Sequence, residues 1–382
     1  MRQEKTISMV ILLFVAGLLC AYQLPKEVIH HPSPADPLAA RVEWALAEAQ
    51  QRGYGGGFWV GYSIKRLMGE RSYIGTSDCG RKSEELTLQE IISGKTSAMP
   101  LVSDRERIRR TTQAVLDELE KEKREPEKKV WKDVAIMFRF GAGKPTEIEK
   151  VELSNVSLAF DLEGRPLIWL GEAPDGQSIS LLHKHYDSAK LDHQKKQMIA
   201  AAGVHGTPAL VIPFLEEILK SGTADNLRKD AAFWLGQQDT QAACTILRQT
   251  AEKDRSGEVR KEAVFAMSQL EIEASVDGLI DLARNASDEE VKKQAIFWLG
   301  QKASKKAGAA LEGFAYDAAD SRIQEQAVFA LSQLPDNEGL DALIKIAKTH
   351  PNPSVRKKAV FWLGESHDPR ALETLIQIVK GK

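Results

Sequence analysis

Cysteine is scarce, with three in 382 residues, at positions 20, 79 and 244. A fold stapled by a disulfide framework is excluded, since such frameworks belong to short, cysteine-dense chains. Neither sign of charge is in excess. Lysine and arginine number 52 against 54 acidic residues, a net of −2. The chain as a whole therefore has no electrostatic pull toward nucleic acid or an anionic membrane. No apolar run reaches the ~20 residues that span a bilayer, and the N-terminal run from Ile7 to Leu19 has 13. A phosphate loop is absent too. Gly141-Ala-Gly-Lys-Pro-Thr146 has Phe138 where the motif's first glycine belongs and Pro145 in place of its hydroxyl, so it reads as a hairpin loop. The histidines at 183, 185, 193 and 205 form the one cluster of that residue. On a helix the first two would diverge by about 200°, so no metal site is expected. Local context suggests no Ser-His-Asp or Cys-His arrangement, and no catalytic residue or cofactor is expected.

What is present begins with an export signal. Arg2 and Lys5 precede the apolar run, and Leu19-Cys20-Ala21 suits a cleavage site, so residues 1–21 read as a signal peptide. The protein is then exported, to the periplasm or cell envelope, with no membrane insertion after cleavage. Two alternatives stay open: lipidation of Cys20, which makes the chain a lipoprotein, and retention of the run as an anchor. Export would permit a Cys79–Cys244 disulfide, but Cys244 is in register with Val276, Leu340 and Leu372 and reads as a small core residue.

The strongest pattern is self-similarity. Five segments recur at an offset of 32: Arg228-KDAAFWLGQ, Arg260-KEAVFAMSQ, Lys292-KQAIFWLGQ, Gln324-EQAVFALSQ and Arg356-KKAVFWLGE. A second ladder, Leu247, Leu279, Leu311, Leu343 and Leu375, runs half a repeat later. Each unit holds two helix-length patterns. Leu340, Leu343, Ile344 and Ala347 have helical spacing up to His350, Pro351 and Pro353 interrupt it, and Ser354 is placed to cap a second helix over 355–365. Gly236, Gly300 and Gly364 stand where the second helix ends and the chain reverses. One such pair cannot bury its stripe alone, so neighbours must stack.

The signature Val355-Arg-Lys-Lys-Ala-Val-Phe-Trp-Leu-Gly364 resembles the second helix of HEAT-like repeats, the group that includes phycobilisome-lyase-type repeats. The resemblance covers roughly 190–382, with Lys195-KQMIAAAG203 as an irregular opening unit. It implies an all-α solenoid that serves as a scaffold. In that family the place of Phe361 is usually polar. On a helical wheel the buried face of this helix centres near about 50° and Phe361 falls near about 240°. Phe233, Phe265, Phe297, Phe329 and Phe361 are thus expected in a row on the concave face, rimmed by Gln237, Gln269, Gln301 and Gln333. The row is either a binding surface or edge-to-edge packing that stiffens the stack. The residue after each Phe alternates, Trp234, Ala266, Trp298, Ala330, Trp362, and glycine alternates with serine two places on. A 64-residue double unit is expected, with large rings set against small residues.

Before the repeats, 22–37 reads as a linker and 38–188 as a small α+β domain. Asp36 is placed to cap a helix over 38–52, and a charged helix is expected over 103–125. Strand patterns cover 58–64, 132–140, 148–160 and 166–170, with Glu163-Gly164 suited to a hairpin turn between the last two. The expected fold is this α+β domain with three or four antiparallel strands, followed over 189–382 by a HEAT-like α-solenoid of 32-residue two-helix repeats. The expected function is a non-catalytic exported scaffold that binds a protein or peptide through the phenylalanine and glutamine face. The alternatives are an enzyme with its site in the α+β domain and the repeats as substrate holder, or a chromophore lyase, which export argues against.

Overall fold

The computed structural model describes residues 23–75, 86–95, 128–142, 144–222, 224–302 and 304–380. The signal segment, Cys79 and the helix expected over 103–125 lie outside the described residues. Contacts divide the chain into two compact units that meet in sequence at Val211 and Ile212.

The first unit contains β1 (Val28–His30), α1 (Leu38–Gln51), β2 (Phe58–Gly69), α2 (Leu88–Ile92), β3 (Lys129–Gly141), β4 (Lys144–Asn155), β5 (Leu167–Glu172), α3 (Asp175–Ser188) and α4 (Asp192–Gly203). The strand order is β1-β5-β2-β3-β4. β2, β3 and β4 form an antiparallel meander, in line with the antiparallel strands expected there. β5 instead runs parallel to both β2 and β1, so the sheet is mixed rather than antiparallel. Glu163 and Gly164 do adopt left-handed backbone, at φ 56° and 65°. They turn the chain without making a hairpin, because β4 is at the sheet's far edge and β5 pairs elsewhere. β1 falls inside the stretch read as a linker, and three residues are too few to show a period.

β2 is covered on both faces. Trp59 joins Leu88, Ile91, Met137, Phe160 and Trp169 on one side. On the other, Phe58 stacks on Phe140 at 5.0 Å and Tyr62 lies 6.0 Å from Phe138. A strand buried on both faces loses its alternation, which is why it reads as an unbroken apolar run. Asp36 makes no side-chain cap on α1. The first free N–H of that helix, at Leu38, donates to Gln177 Oε1 at 2.7 Å. The buried Arg41 guanidinium donates to the carbonyls of Leu170 and Glu172 and ties α1 to the end of β5.

The helices that follow are α5 (Pro208–Ser221), α6 (Asp225–Leu235), α7 (Gln241–Lys253), α8 (Gly257–Gln269), α9 (Glu273–Asn285), α10 (Glu289–Leu299), α11 (Lys305–Asp317), α12 (Ser321–Gln333), α13 (Leu340–Thr349), α14 (Pro353–Glu365) and α15 (Pro369–Val379). From α7 on, outer helices (α7, α9, α11, α13) alternate with the inner helices that carry the signature (α8, α10, α12, α14). The leucine ladder is the shared core: Leu247, Leu279, Leu311 and Leu343 are all buried, each contributing roughly 1.5–3 kcal/mol. The first signature residue has a recurring task. Arg228, Arg260, Gln324 and Arg356 each donate to the carbonyl six residues earlier, at Gly222, Asp254, Ala318 and His350. These four carbonyls close the turn before each inner helix, and that of Gly222 also accepts from Arg255 at 2.9 Å. Arg228 also binds Asp254 through two bonds, with both side chains almost fully enclosed.

Two local expectations are corrected. Ser354 does not cap the last inner helix. Asn352 does, accepting from the Ser354 N–H at 2.9 Å, with Pro353 already in the first turn. Gly236 and Gly300 are not left-handed caps, since both stay in right-handed helical backbone at φ −64° and −66°. Their reason is proximity. A Cβ on Gly236 would meet Ala266 O at 2.6 Å and its Cα at 2.9 Å, and one on Gly300 would meet the same atoms of Ala330 at the same distances. The glycine of one inner helix touches the alanine of the next, which accounts for the glycine and alanine half of the 64-residue alternation. Gly364 has nothing within 4 Å of that position.

This contact predicts opposite signs for one substitution. Gly300→Ala should cost about 1–3 kcal/mol, because the helices must separate. Gly364→Ala should gain about 0.5–1 kcal/mol from helix propensity alone. Urea midpoints of the two variants decide it, and a shift in the same direction for both would reject the close approach.

Candidate functional site

The five phenylalanines come from one position of successive inner helices, opposite the buried Val, Ala and Leu face. Phe233, Phe265, Phe297 and Phe329 are half-buried and Phe361 is 54% exposed. The row is not a set of isolated rings. Phe265 lies 5.0 Å from Trp298, Trp298 lies 5.0 Å from Phe297, and Phe297 stacks on Phe329 at 6.2 Å. Phe329 then meets Trp362 at 5.2 Å, and Trp362 meets Phe361 at 5.0 Å. Six rings therefore touch in one chain across four inner helices, and Phe233 with Trp234 forms a separate pair at 5.4 Å.

The tryptophans are half-buried and pack beside phenylalanine. Each of Trp298 and Trp362 bridges its own phenylalanine to that of the preceding helix. Their indole N–H groups are enclosed with no hydrogen-bond acceptor among the described residues. The rings thus both contact one another and keep a face to solvent, so the two readings of the row are compatible.

Polar groups frame it. Gln269 and Gln333 donate Nε2 to the neighbouring Ser268 and Ser332 hydroxyls at 3.1 Å, and those hydroxyls donate to the Phe265 and Phe329 carbonyls at 2.6 Å. Each amide is held in one orientation with its oxygen still available. Gln301 and Gln333 are exposed, and Gln237 and Gln269 half-buried. One turn before the rings stand Asp230, Glu262, Gln294, Gln326 and Lys358. Burial pushes the Glu262 carboxyl above the usual range, and the charge of Lys229 opposes that. Near the row's last rings a cavity of about 310 Å³ is lined by Leu331, Gln333, Leu343, Trp362 and Glu365. Sequence reasoning missed this cavity. It adjoins a connection in which a 3-10 turn over Pro335–Asn337, with Asp336 and Asn337 left-handed, stands before a shortened outer helix.

In the first unit the histidines are dispersed rather than gathered. His183 lies 3.8 Å from Asp187, and His185 packs 5.8 Å from Phe138. His185 also lines a cleft of about 230 Å³ with Thr146, Ile148, Gln194 and Met198. His205 belongs to a buried chain of hydrogen bonds. Tyr62 Oη meets Ser178 Oγ at 2.8 Å, Ser178 Oγ meets His205 Nε2 at 2.8 Å, and His205 Nδ1 meets the Ala202 carbonyl at 3.0 Å. One order satisfies all of them: tyrosine donates to serine, serine to Nε2, and Nδ1–H to the carbonyl. Tyr62 and Ser178 have no exposed surface and His205 has 1%, so in this structure the three are closed to a substrate and pin β2 to α3 and α4. Burial raises the Tyr62 hydroxyl far above its ordinary range. Cys244 is buried and free, its Sγ 3.4 Å from the Ala274 carbonyl, and burial raises its thiol pKa. No group of three or more metal-ligating side chains occurs among the described residues. No described helix is long and apolar enough to cross a membrane.

The repeats are matched by known families. Residues 212–296 and 276–349 match the family of HEAT repeats, and 355–381 match the PBS lyase HEAT-like repeat. This part of the chain is a HEAT-like repeat array, and no family matches the region before it. No curated protein matches the chain in sequence. Among solved structures, human deoxyhypusine hydroxylase in complex with glycerol is 16% identical. The overlay covers 53% of this chain and 85% of that one, with a TM-score of 0.27. The Escherichia coli protein YibA is 17% identical over 53% of this chain and 76% of its own, with a TM-score of 0.32. Overlays at these scores carry no argument.

Two outcomes follow from this geometry. Trp298→Ala should cost about 2–4 kcal/mol, below the value for a fully enclosed ring. Trp298→Phe should cost less than about 1 kcal/mol, because it keeps a ring and removes the unpaired N–H. Equal melting temperatures for the two variants would show that the ring bridges nothing. Burial lowers the His205 pKa, opposed by the Asp175 charge and the backbone carbonyls. A lowered folded pKa gives stability that is full above the ordinary histidine value and is lost as pH falls toward the folded one. His205→Gln should therefore flatten the fall in urea midpoint between roughly pH 7 and pH 5, and an unchanged slope would refute the assignment.

Proposed function

We propose that the repeat array is a non-catalytic scaffold in an exported protein of the periplasm or cell envelope. It holds a protein or peptide along Phe233, Phe265, Phe297, Phe329 and Phe361. HEAT repeats as a class indicate protein interaction, and one observation carries the choice of face. A contiguous chain of half-exposed aromatic rings runs along the array instead of the polar surface expected at that position. Rings of this kind supply rigid contact area at little entropic cost. The oriented amides of Gln269 and Gln333 offer acceptors beside them, and Gln237 and Gln301 extend the rim. A protein or peptide is the fitting ligand, since an extended chain presents apolar side chains and backbone N–H groups together. The near-neutral charge gives nucleic acid no comparable attraction.

The test is quantitative capture from an envelope extract by the full chain. The comparison is a Phe265→Ser, Phe297→Ser, Phe329→Ser variant whose fold is verified by circular dichroism. A scaffold of this kind loses a defined partner in the variant, and the purified partner binds it at least about tenfold more weakly. Equal capture by both chains, with only the melting temperature lowered in the variant, would reduce the row to internal packing and sink the proposal.

A further inference from the structure

Positions 238, 270, 302, 334 and 366 are one column of the repeat, at the exit of each inner helix, and hold Gln, Leu, Lys, Leu and Ser. Gln238, Leu270 and Leu334 are buried, and Lys302 is half-buried. Lys302 and Ser366 correspond most closely, because they are one 64-residue double unit apart. The Lys302 Nζ reaches back one repeat and donates to the Leu270 carbonyl at 2.8 Å, and the Ser275 hydroxyl donates to the same oxygen at 3.1 Å. One double unit later neither donor is present: Ser366 stands at the place of Lys302 and Gly339 at that of Ser275. The cavity of about 310 Å³ lies there, with Leu334 and Ser366 among its walls.

The backbone around the acceptor is the same in both copies. Leu270 has φ −63° and ψ 130°, and Leu334 has φ −59° and ψ 135°. Each N–H reaches the carbonyl three residues back, at 3.3 and 3.4 Å. The Lys302 and Ser366 N–H groups likewise donate to the Leu299 and Leu363 carbonyls, at 3.1 and 3.2 Å. No side chain among the described residues donates to the Leu334 carbonyl. A carbonyl has two lone pairs, so the 3-10 turn that opens there leaves one of them. Charge points the same way. Asp239 and Glu271 act on the Lys302 ammonium. Pro335 replaces Glu271 in the later copy, and Glu365 brings a carboxylate to the cavity where the earlier copy has Gln301. Glu365 makes no ion pair among the described residues.

We infer that this cavity takes a lysine side chain of the bound protein or peptide, in the place that Lys302 fills from within the array one double unit earlier. The methylene stem lies along Leu331, Leu343 and Trp362, and the ammonium is shared between the Leu334 carbonyl and Glu365. A compact ammonium suits two acceptors better than the planar fork of arginine. The source of the lysine rests on the scaffold reading of the aromatic row, whereas the site itself rests on the comparison of the two copies.

The probe is N-acetyl-lysine methylamide, titrated into the full chain while the Trp362 indole N–H is followed by NMR, its signal being the one that Trp362→Phe removes. Saturable binding is expected, with a Kd on the order of 5 mM. The same probe acetylated on its side-chain nitrogen keeps the stem without the charge, and should bind at least about tenfold more weakly. Glu365→Gln should weaken the lysine probe about threefold to tenfold. Ser366→Lys sets the array's own ammonium in the cavity, and should abolish binding with an unchanged circular dichroism spectrum. No saturable shift, equal binding of the two probes, or undiminished binding to the Ser366→Lys variant would overturn the inference. A single residue cannot span the rings, so this test is separate from the capture experiment. Partner loss in the phenylalanine variant without probe binding would keep the scaffold and sink the lysine site alone.

Discussion

A pair of short antiparallel helices has an apolar stripe and no interior, so each repeat here is stable only through the neighbours on its two sides. The contact that sets how closely those neighbours approach is glycine backbone against alanine backbone, Gly236 on Ala266 and Gly300 on Ala330. With no side chain on one member and a single methyl on the other, the inner helices meet at the distance of their main chains. The buried leucines at 247, 279, 311 and 343 then fill the space between inner and outer layers at that spacing. Within the turns, the donors at 228, 260, 324 and 356 each reach the carbonyl six residues back.

From Phe265 to Phe361 the aromatic row follows this spacing, whereas Phe233, across the Gly236 contact from Phe265, pairs with Trp234 instead. Phe297 and Phe329 belong to two helices joined by a glycine contact, and their rings stack at 6.2 Å. Between Phe265 and Phe297, and again between Phe329 and Phe361, no glycine meets alanine, and a tryptophan fills the interval. Tryptophan and glycine thus share a helix for a mechanical reason: on one flank that helix is drawn tight, and on the other it bridges a gap. A solvent-facing aromatic surface results from residues whose first task is to hold the stack.

Most of the array was legible in the sequence, because a fixed period repeats each physical requirement five times. Phenylalanine at 233, 265, 297, 329 and 361 revealed its face through the wheel alone. The role of Gly236 and Gly300 was misread, because a glycine after a helix suits a left-handed cap and a close neighbour equally well, and only distance separates the two. Asn352 was overlooked as a cap because Ser354 also fits, and Pro353 tolerates the first turn of a helix. In the first unit the strands of the meander were legible and their partners were not. β5 carries an ordinary strand pattern, and nothing within it records that its neighbours run parallel. β1, with three residues, is specified by the edge of β5 rather than by its own sequence. The Tyr62, Ser178 and His205 chain was hidden for a related reason: its members are separated by 116 and 27 residues.

The double period has a consequence for anything that binds the row. A simple 32-residue array would offer identical rungs, and an extended ligand could slide by one rung at no cost. Here successive rungs differ, since Gln301, after a Trp-bearing helix, has no side-chain hydrogen bond among the described residues, whereas the Gln333 amide after the next is fixed through Ser332. The polar residues one turn before the rings differ as well, from Asp230 and Glu262 through Gln294 and Gln326 to Lys358. A ligand lying along the row and displaced by one repeat would meet a differently held amide, and a shift of two repeats would restore the rings while changing the charge at each rung. For a ligand on the row, register would be specified in the way neighbouring charges specify it between helices, by making each near miss unfavourable. The alternation that packs the stack also removes the equivalence that would leave a bound chain without a fixed place.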